Sequence, residues 1–158
     1  MTYGYCDSPI GRLRLAGDDG GLRHLHLADA EPWEVPAGWR EDRGAFDGLR
    51  RQLDEYFAGL RRHFDVRLVP QGTGFQQEVW RALRTIPFGC TETYAGLAAR
   101  VGRPKAARAV GAANGANPIA ILIPCHRVVG RGGRLTGYSG GLARKQALLD
   151  LEARAPGS

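Results

Sequence analysis

Residues 119–123 read Ile-Ala-Ile-Leu-Ile and lead directly into Pro124-Cys125-His126-Arg127-Val128. An uninterrupted apolar run of this length has to be buried, and it suits a strand or extended segment. Any fold of this chain must carry the run through its interior and let a thiol, an imidazole and a guanidinium emerge at its end. Proline restricts the backbone at the junction. A cysteine meant only for packing would sit comfortably within the run, whereas Cys125 lies where the run stops. A thiol becomes a nucleophile where its surroundings favour the thiolate, and His126 and Arg127 supply a proton acceptor and a cation close by in sequence. Spacing alone leaves Cys125 as either a nucleophile or a packing residue, and His126 as either a base or a structural imidazole. Arg127 suits a structural salt bridge better than direct catalysis.

The remainder of the chain predicts an α+β fold in two parts. In the first part Arg12-Leu13-Arg14-Leu15 and Phe64-Asp65-Val66-Arg67-Leu68 alternate as strands do, with a weaker strand from Leu22 to Leu27. Asp18-Asp19-Gly20-Gly21 is turn chemistry and predicts a hairpin. Phe46, Leu49, Leu53, Tyr56 and Leu60 recur at helical spacing, as an amphipathic helix over the sheet. Residues 30–44 read as a loop, and nothing in this half carries visible chemistry. Pro70-Gln71-Gly72-Thr73-Gly74 is the expected linker. The expected division is therefore a sheet-plus-helix domain over 1–69, a linker over 70–74 and a mostly helical domain over 75–158.

In the second part Phe75, Val79 and Leu83 share a helix face, and Ile86-Pro87-Phe88-Gly89 ends that helix. Tyr94 to Val101 is a short helix, Gly102-Arg103 a turn, and Pro104 the expected first residue of a second helix. This is a helix-turn-helix pattern. The second helix is small-sided from Ala106 to Ala113 apart from Arg108 and Val110, which suits either tight packing or close approach to a narrow groove. Side chains that read the major groove are mostly missing. A final helix carries Glu152, and Ala153 to Ser158 is the expected tail.

Charge separates the two halves. Residues 1–73 hold ten basic against twelve acidic side chains, whereas residues 74–158 hold twelve against four. The second half therefore has the electrostatics of a polyanion binder, although charge does not say which polyanion. No apolar stretch approaches the roughly 20 residues of a membrane span. The N-terminus is not a secretion signal, and three scattered cysteines make no disulfide framework. A reducing cytoplasm is the expected compartment.

Several segments of the second half occur together in a recognisable order. They are Phe75-Gln76-Gln77-Glu78-Val79-Trp80, Ile86-Pro87-Phe88-Gly89, Thr93-Tyr94-Ala95-Gly96-Leu97-Ala98, Arg108 to Asn114, Asn117-Pro118, the Pro-Cys-His-Arg-Val core and Tyr138-Ser139-Gly140-Gly141. In these the block from Phe75 to Glu152 resembles the O6-alkylguanine-DNA alkyltransferases, also called methylated-DNA–protein-cysteine methyltransferases. The N-terminal resemblance is looser, mainly Asp7 to Leu13. The resemblance implies a protein that flips O6-alkylguanine out of double-stranded DNA through the minor groove and transfers the alkyl group irreversibly to its own Cys125. O4-alkylthymine is the other lesion it admits.

It also implies roles. His126 is the base, acting through a water, and Glu152 orients it. Arg108 fills the gap left in the duplex, and Tyr94 turns the phosphate of the flipped nucleotide. The backbone carbonyls of Cys125 and Val128 accept from the guanine amino group. Tyr138 donates to the guanine ring, the Ser139 N–H points at the alkylated oxygen, and Asn117 braces the turn before the active-site strand. Read without the resemblance, Tyr94 is a core aromatic, Arg108 a surface arginine, Glu152 a solvated carboxylate and Asn117 an ordinary turn residue. No cofactor is expected. Some family members bind zinc in the N-terminal domain, but Cys6, His24, His26 and His63 lack zinc-ligand spacing, so no metal is expected. The chain is expected to act as a monomer, away from membranes. Alkyltransferase-like recognition proteins lack the acceptor cysteine, a sequence-reading helix-turn-helix regulator would carry base-reading side chains, and a cysteine hydrolase would carry an oxyanion-hole motif.

Overall fold

The computed structural model describes residues 1–29, 32–138 and 140–154. Four strands form the N-terminal sheet: β1 (Thr2–Cys6), β2 (Leu13–Asp18), β3 (Gly21–Leu27) and β4 (Arg40–Glu41). Their order is β3-β2-β1-β4, with β4 parallel to β1 and the other pairs antiparallel. The hairpin between β2 and β3 closes as expected, with Asp18 Oδ1 accepting from the Gly20 N–H at 2.9 Å. Gly21 follows at φ +139, a conformation that L side chains rarely adopt. Leu13, Leu15, Leu22, Leu25 and Leu27 point into the core. Helix α1 (Asp47–Phe57) contributes Leu49, Leu53 and Tyr56 to that core.

Two expectations for this half are corrected, and one strand was missed. Leu60 does not complete the helical stripe, because α1 stops at Phe57, and it is 77% exposed. Phe64 to Leu68 runs extended without forming a strand, and only Leu68 bridges Leu22. Strand β1 was not apparent in the sequence because its inward residues are Gly4 and Cys6, while its tyrosines face outward.

The C-terminal half begins with α2 (Gly74–Leu83). The Thr73 side chain accepts from the Gln76 N–H at 3.1 Å and the Gln76 side chain accepts from the Thr73 N–H at 2.9 Å, a reciprocal cap that fixes where the helix starts. Next come β5 (Glu92–Thr93), α3 (Tyr94–Arg100), α4 (Ala107–Gly115), β6 (Val128–Val129) and α5 (Leu142–Arg154). Helices α3 and α4 form the helix-turn-helix and pack on α2. The Trp80 indole N–H donates to the Ala113 carbonyl at 2.9 Å and pins α4 to α2. Pro104 does not open the second helix. It lies in a turn closed by Ala106 N–H to Arg103 O at 2.9 Å, and α4 starts at Ala107. Helix α5 continues through Ala153 and Arg154, which are not frayed, and residues 155–158 lie outside the described residues.

The two halves share backbone hydrogen bonds. Leu25 of β3 donates to Pro118 O at 2.9 Å and accepts from Ala120 N–H at 3.0 Å. The sheet edge thus holds the segment that leads to Cys125. No helix among the described residues is long and apolar enough to cross a membrane.

Candidate active site

The apolar run before Cys125 is buried, as its composition demands, but it is not a strand. Apart from the Ile119 bridge to Leu25, residues 119–123 form turns, with Leu122 N–H bonded to Ala120 O at 2.8 Å and Ile123 N–H to Ile119 O at 3.0 Å. Asn117 organises them. Its Oδ1 accepts from Ile119 N–H at 3.0 Å, and its Nδ2 donates to Ile123 O at 2.7 Å. One side chain therefore spans the loop and satisfies two backbone groups buried within it. Ile121 sits at φ +72, in the left-handed region that a β-branched residue rarely occupies. Such a conformation costs about 1–3 kcal/mol, and the surrounding burial and the Asn117 bridge hold it in place.

The turn ends at Pro124, and Cys125–Arg127 form a 3-10 turn that sets the three side chains on different bearings. Cys125 and His126 are both buried. Asn114, on the last turn of α4, lies with its Nδ2 3.5 Å from the Cys125 carbonyl. Burial pushes the Cys125 thiol up, while a hydrogen bond with Asn117, the Lys145 charge and a backbone N–H pull it down.

His126 and Glu152 are joined directly. Nε2 of His126 lies 2.7 Å from Glu152 Oε2, and the residues are 0% and 1% exposed. Arg127 donates to both oxygens of the same carboxylate, Nε to Oε1 at 2.8 Å and Nη2 to Oε2 at 3.0 Å, and its Nη1 donates to Ile86 O at 2.7 Å. Tyr56 of α1 donates its hydroxyl to Oε2 at 2.6 Å. Burial on its own would raise the Glu152 pKa. The hydrogen bonds and charges of His126 and Arg127 outweigh it and hold the carboxyl well below its ordinary range. An ionised Glu152 accepts, so Nε2 of His126 carries the proton and Nδ1 is left as a bare lone pair. That Nδ1 is buried and has no hydrogen-bond partner among the described residues. Burial lowers the His126 pKa against the pull of Glu152, so the ring rests neutral.

The other expected residues gather around this array to differing degrees. Tyr138 lies on the loop before α5, and its buried hydroxyl also lacks a partner among the described residues. Burial first, then the charge of Cys125, pushes its pKa far up, so the phenol stays a donor. The Val128 N–H closes the 3-10 turn onto Cys125 O, and Val128 opens β6, which pairs parallel with β5. Tyr94 starts α3, with its hydroxyl 3.3 Å from the Thr136 carbonyl. Arg108 is exposed on the first turn of α4. Ser139 lies outside the described residues.

Sequence reading missed three participants. Lys145 is fully buried on α5, donates to Thr136 O at 2.8 Å, and adds a positive charge to the surroundings of Cys125. A single lysine in a helix carries no periodic signal. Asn114 looked like one more polar residue on a small-sided helix. Tyr56 comes from the half in which no chemistry was visible, where helical spacing marked it only as core.

Fold and site together define a two-part protein in which a helix-turn-helix flanks a buried Cys–His–Glu array. Residues 74–154 match the family model described as 6-O-methylguanine DNA methyltransferase, DNA binding domain, and residues 1–70 match its ribonuclease-like domain. The methylated-DNA–protein-cysteine methyltransferase of Methanosarcina acetivorans is 51% identical over 153 residues, covering 96% of this chain and 98% of that protein. The protein of the same name from Mycobacterium tuberculosis is 54% identical over 157 residues, covering 99% and 95%. The crystal structure of Mycobacterium tuberculosis OGT in complex with DNA superposes with a TM-score of 0.92 at 52% identity, covering 99% of this chain and 96% of that one. The chain belongs to the 6-O-methylguanine DNA methyltransferase family.

Proposed function

We infer that this chain repairs DNA by direct reversal, flipping O6-alkylguanine out of the duplex and moving the alkyl group irreversibly to its own Cys125. The observation that carries the reading is the Nδ1 of His126, without a hydrogen-bond partner among the described residues, opposite an Nε2 held by ionised Glu152. The resting thiol is protonated, because burial raises its pKa, so transfer needs a base at hand. Nδ1 takes the Cys125 proton through a water molecule, and the imidazolium that forms is stabilised by Glu152. The thiolate attacks the alkyl carbon in line. The carbon–oxygen bond breaks, and its electron pair returns to the guanine, to which Tyr138 donates a hydrogen bond. The product is a thioether that water does not cleave, so each chain reacts once.

The remaining roles follow the same division. Asn117 holds the turn that presents Cys125, and the Val128 carbonyl and Ser139 N–H read the guanine edge. Arg108 enters the stack and Tyr94 turns the phosphate. An enzyme acting on a base inside a duplex must extrude it, and small residues along α4 permit close approach in the minor groove. Residues 1–69 serve as the supporting domain, 70–74 as linker and 75–158 as the catalytic and DNA-binding domain. The cytoplasm is the proposed compartment, in keeping with three free cysteines.

Intact mass after incubation with duplex DNA carrying one O6-methylguanine tests the reading. One added methyl on Cys125, saturating at one per chain with guanine restored, is the expected result. Cys125→Ala should abolish the mass gain and retain duplex binding. Tight lesion binding without a mass gain in the unaltered chain would make it a recognition protein instead.

A further inference from the structure

Three buried side-chain atoms have no hydrogen-bond partner among the described residues: Asn114 Oδ1, His126 Nδ1 and the Tyr138 hydroxyl oxygen. All three belong to the surroundings of Cys125. Asn114 places its Nδ2 3.5 Å from the Cys125 carbonyl, His126 follows Cys125 in the chain, and Tyr138 feels the Cys125 charge. Folded proteins leave few such groups unpaired, and each one calls for a partner from outside the fold or for another explanation. His126 Nδ1 takes a proton and the Tyr138 hydroxyl donates to guanine, so two of the three have a use in the reaction. Asn114 Oδ1 has had none.

Asn114 lies on the last turn of α4, after Ala112 and Ala113, and is 4% exposed. The Trp80 indole fixes this turn through the Ala113 carbonyl. Nδ2 faces the Cys125 carbonyl because a carbonyl oxygen tolerates a donor there and not a second acceptor, which leaves Oδ1 as the unsatisfied acceptor. The Cys125 carbonyl also accepts from the Val128 N–H. One of its two lone pairs is therefore taken and the other is faced by Asn114. Leucine has the same branched shape as asparagine and would pack here without burying an unpaired acceptor, so packing alone does not account for an amide at this position. Arg108, earlier on the same helix, is exposed. Helix α4 thus presents one residue outward and another to the backbone of Cys125.

An acceptor needs a donor. The ring nitrogens of an O6-alkylated guanine carry no N–H, so the exocyclic amino group is the base's one hydrogen-bond donor. We propose that Asn114 is a specificity residue of the alkyl-transfer site, whose Oδ1 accepts one N–H of that amino group when the flipped base stands against Cys125, while the Val128 carbonyl accepts the other. The proposal rests on the direct-reversal reading and adds to it a residue that tells a purine with the amino group from one without. O6-alkylguanine gains the bond. O6-alkylated hypoxanthine, the same base without the amino group, leaves the buried oxygen unsatisfied, and a site built to bond a substrate N–H disfavours an analogue that lacks it.

Single-turnover transfer from duplexes carrying either O6-methylguanine or O6-methylhypoxanthine tests the proposal. The unaltered chain should react faster with the guanine lesion. Asn114→Leu should lower that rate ratio by roughly two- to tenfold, the worth of one hydrogen bond. Asn114→Asp keeps an acceptor oxygen and should hold the ratio, with folding of both variants checked by thermal melting. An equal loss on both lesions in Asn114→Leu would make Asn114 a support for the Cys125 turn or for an internal water, and would overturn the proposal. A ratio that falls as far in Asn114→Asp also overturns it. An unaltered chain with no preference between the two lesions overturns it without any variant. Transfer from neither lesion by the unaltered chain sinks the repair reading by itself, and equilibrium binding of the same two duplexes then decides Asn114. An affinity ratio that Asn114→Leu lowers upholds the contact, and an unchanged ratio overturns it.

Discussion

Glu152 gathers hydrogen bonds from Tyr56, His126 and Arg127 on a single buried carboxylate. Replacing it with glutamine keeps the shape and removes the charge, leaving the Arg127 guanidinium buried without a counter-charge. Breaking a buried pair in this way costs about 3–5 kcal/mol. For a chain of this size each kcal/mol lowers Tm by roughly 2–4 °C, so Glu152→Gln should melt well below the unaltered protein. The pH dependence has a defined sign. A carboxyl held below its ordinary value stabilises the fold fully above its unfolded pKa of 4.5, and that contribution is lost as pH falls through its folded value. His26, lowered to about 4, adds a loss between about 6.5 and 4 in both proteins. Calorimetry should therefore show a steeper decline below about pH 4.5 in the unaltered protein than in Glu152→Gln, whereas between about pH 6.5 and 4.5 the variant declines more, because His126 loses the carboxylate that raises its pKa. Lys145→Met removes a positive charge that pulls the Cys125 thiol down. Less of the thiol is then ionised at a given pH, so transfer at neutral pH should slow. The loss should shrink at higher pH. A uniform loss at every pH would mark Lys145 as packing alone.

Among the elements, the helices were the legible part. Amphipathic spacing located α1 and α2 because one stripe of each is buried against a layer that the period reveals. The segment before Cys125 was legible as buried and misread as a strand. Five apolar residues carry no period that separates a strand from a knot of turns, and the decisive feature is an Asn117 side chain bonding into the loop. Phe64 to Leu68 alternates like a strand but finds only one bridge on the sheet, since alternation describes which side is buried and not whether a neighbour is free to pair. The Cys–His pair was visible through adjacency. Its connection to Glu152, 26 residues away, was visible only through family resemblance, because nothing local ties a carboxylate on α5 to a 3-10 turn. The exposed Arg108 on α4 supports a test at this scale. Extruding a base costs a few kcal/mol, and an arginine that fills the gap recovers part of it. Arg108→Ala should therefore slow transfer from duplex DNA by roughly tenfold or more, each 1.4 kcal/mol being worth about a factor of ten. Transfer from the free modified base should be unchanged. Single-turnover kinetics on both substrates decides this, and equal losses would remove the role in flipping.

At the scale of the whole molecule the two halves divide charge and share the site. The basic half carries the thiol, while the acidic half supplies groups that hold the active-site surroundings in place. Leu25 pairs with Pro118 and Ala120 at the head of the turn, Tyr56 donates to Glu152, and the Arg144 side chain donates to Ile10 O at 2.7 Å and to Asp29 at 2.7 Å. Each contact joins the N-terminal half to the active-site turn, the carboxylate or the helix that carries it. A molecule wired in this way should unfold as one unit, although its sequence reads as two domains. Tyr56→Phe isolates a single strand of the wiring, because it removes one hydrogen bond to a charged acceptor and leaves the ring packed. Hydrogen bonds to charged groups contribute about 1.5–3 kcal/mol, so Tm should fall by roughly 3–12 °C at 2–4 °C per kcal/mol. Calorimetry should show one cooperative transition in both proteins, shifted as a whole in the variant. Two transitions, with only one displaced, would mean that the halves fold independently and that the N-terminal sheet does not stabilise the site it touches.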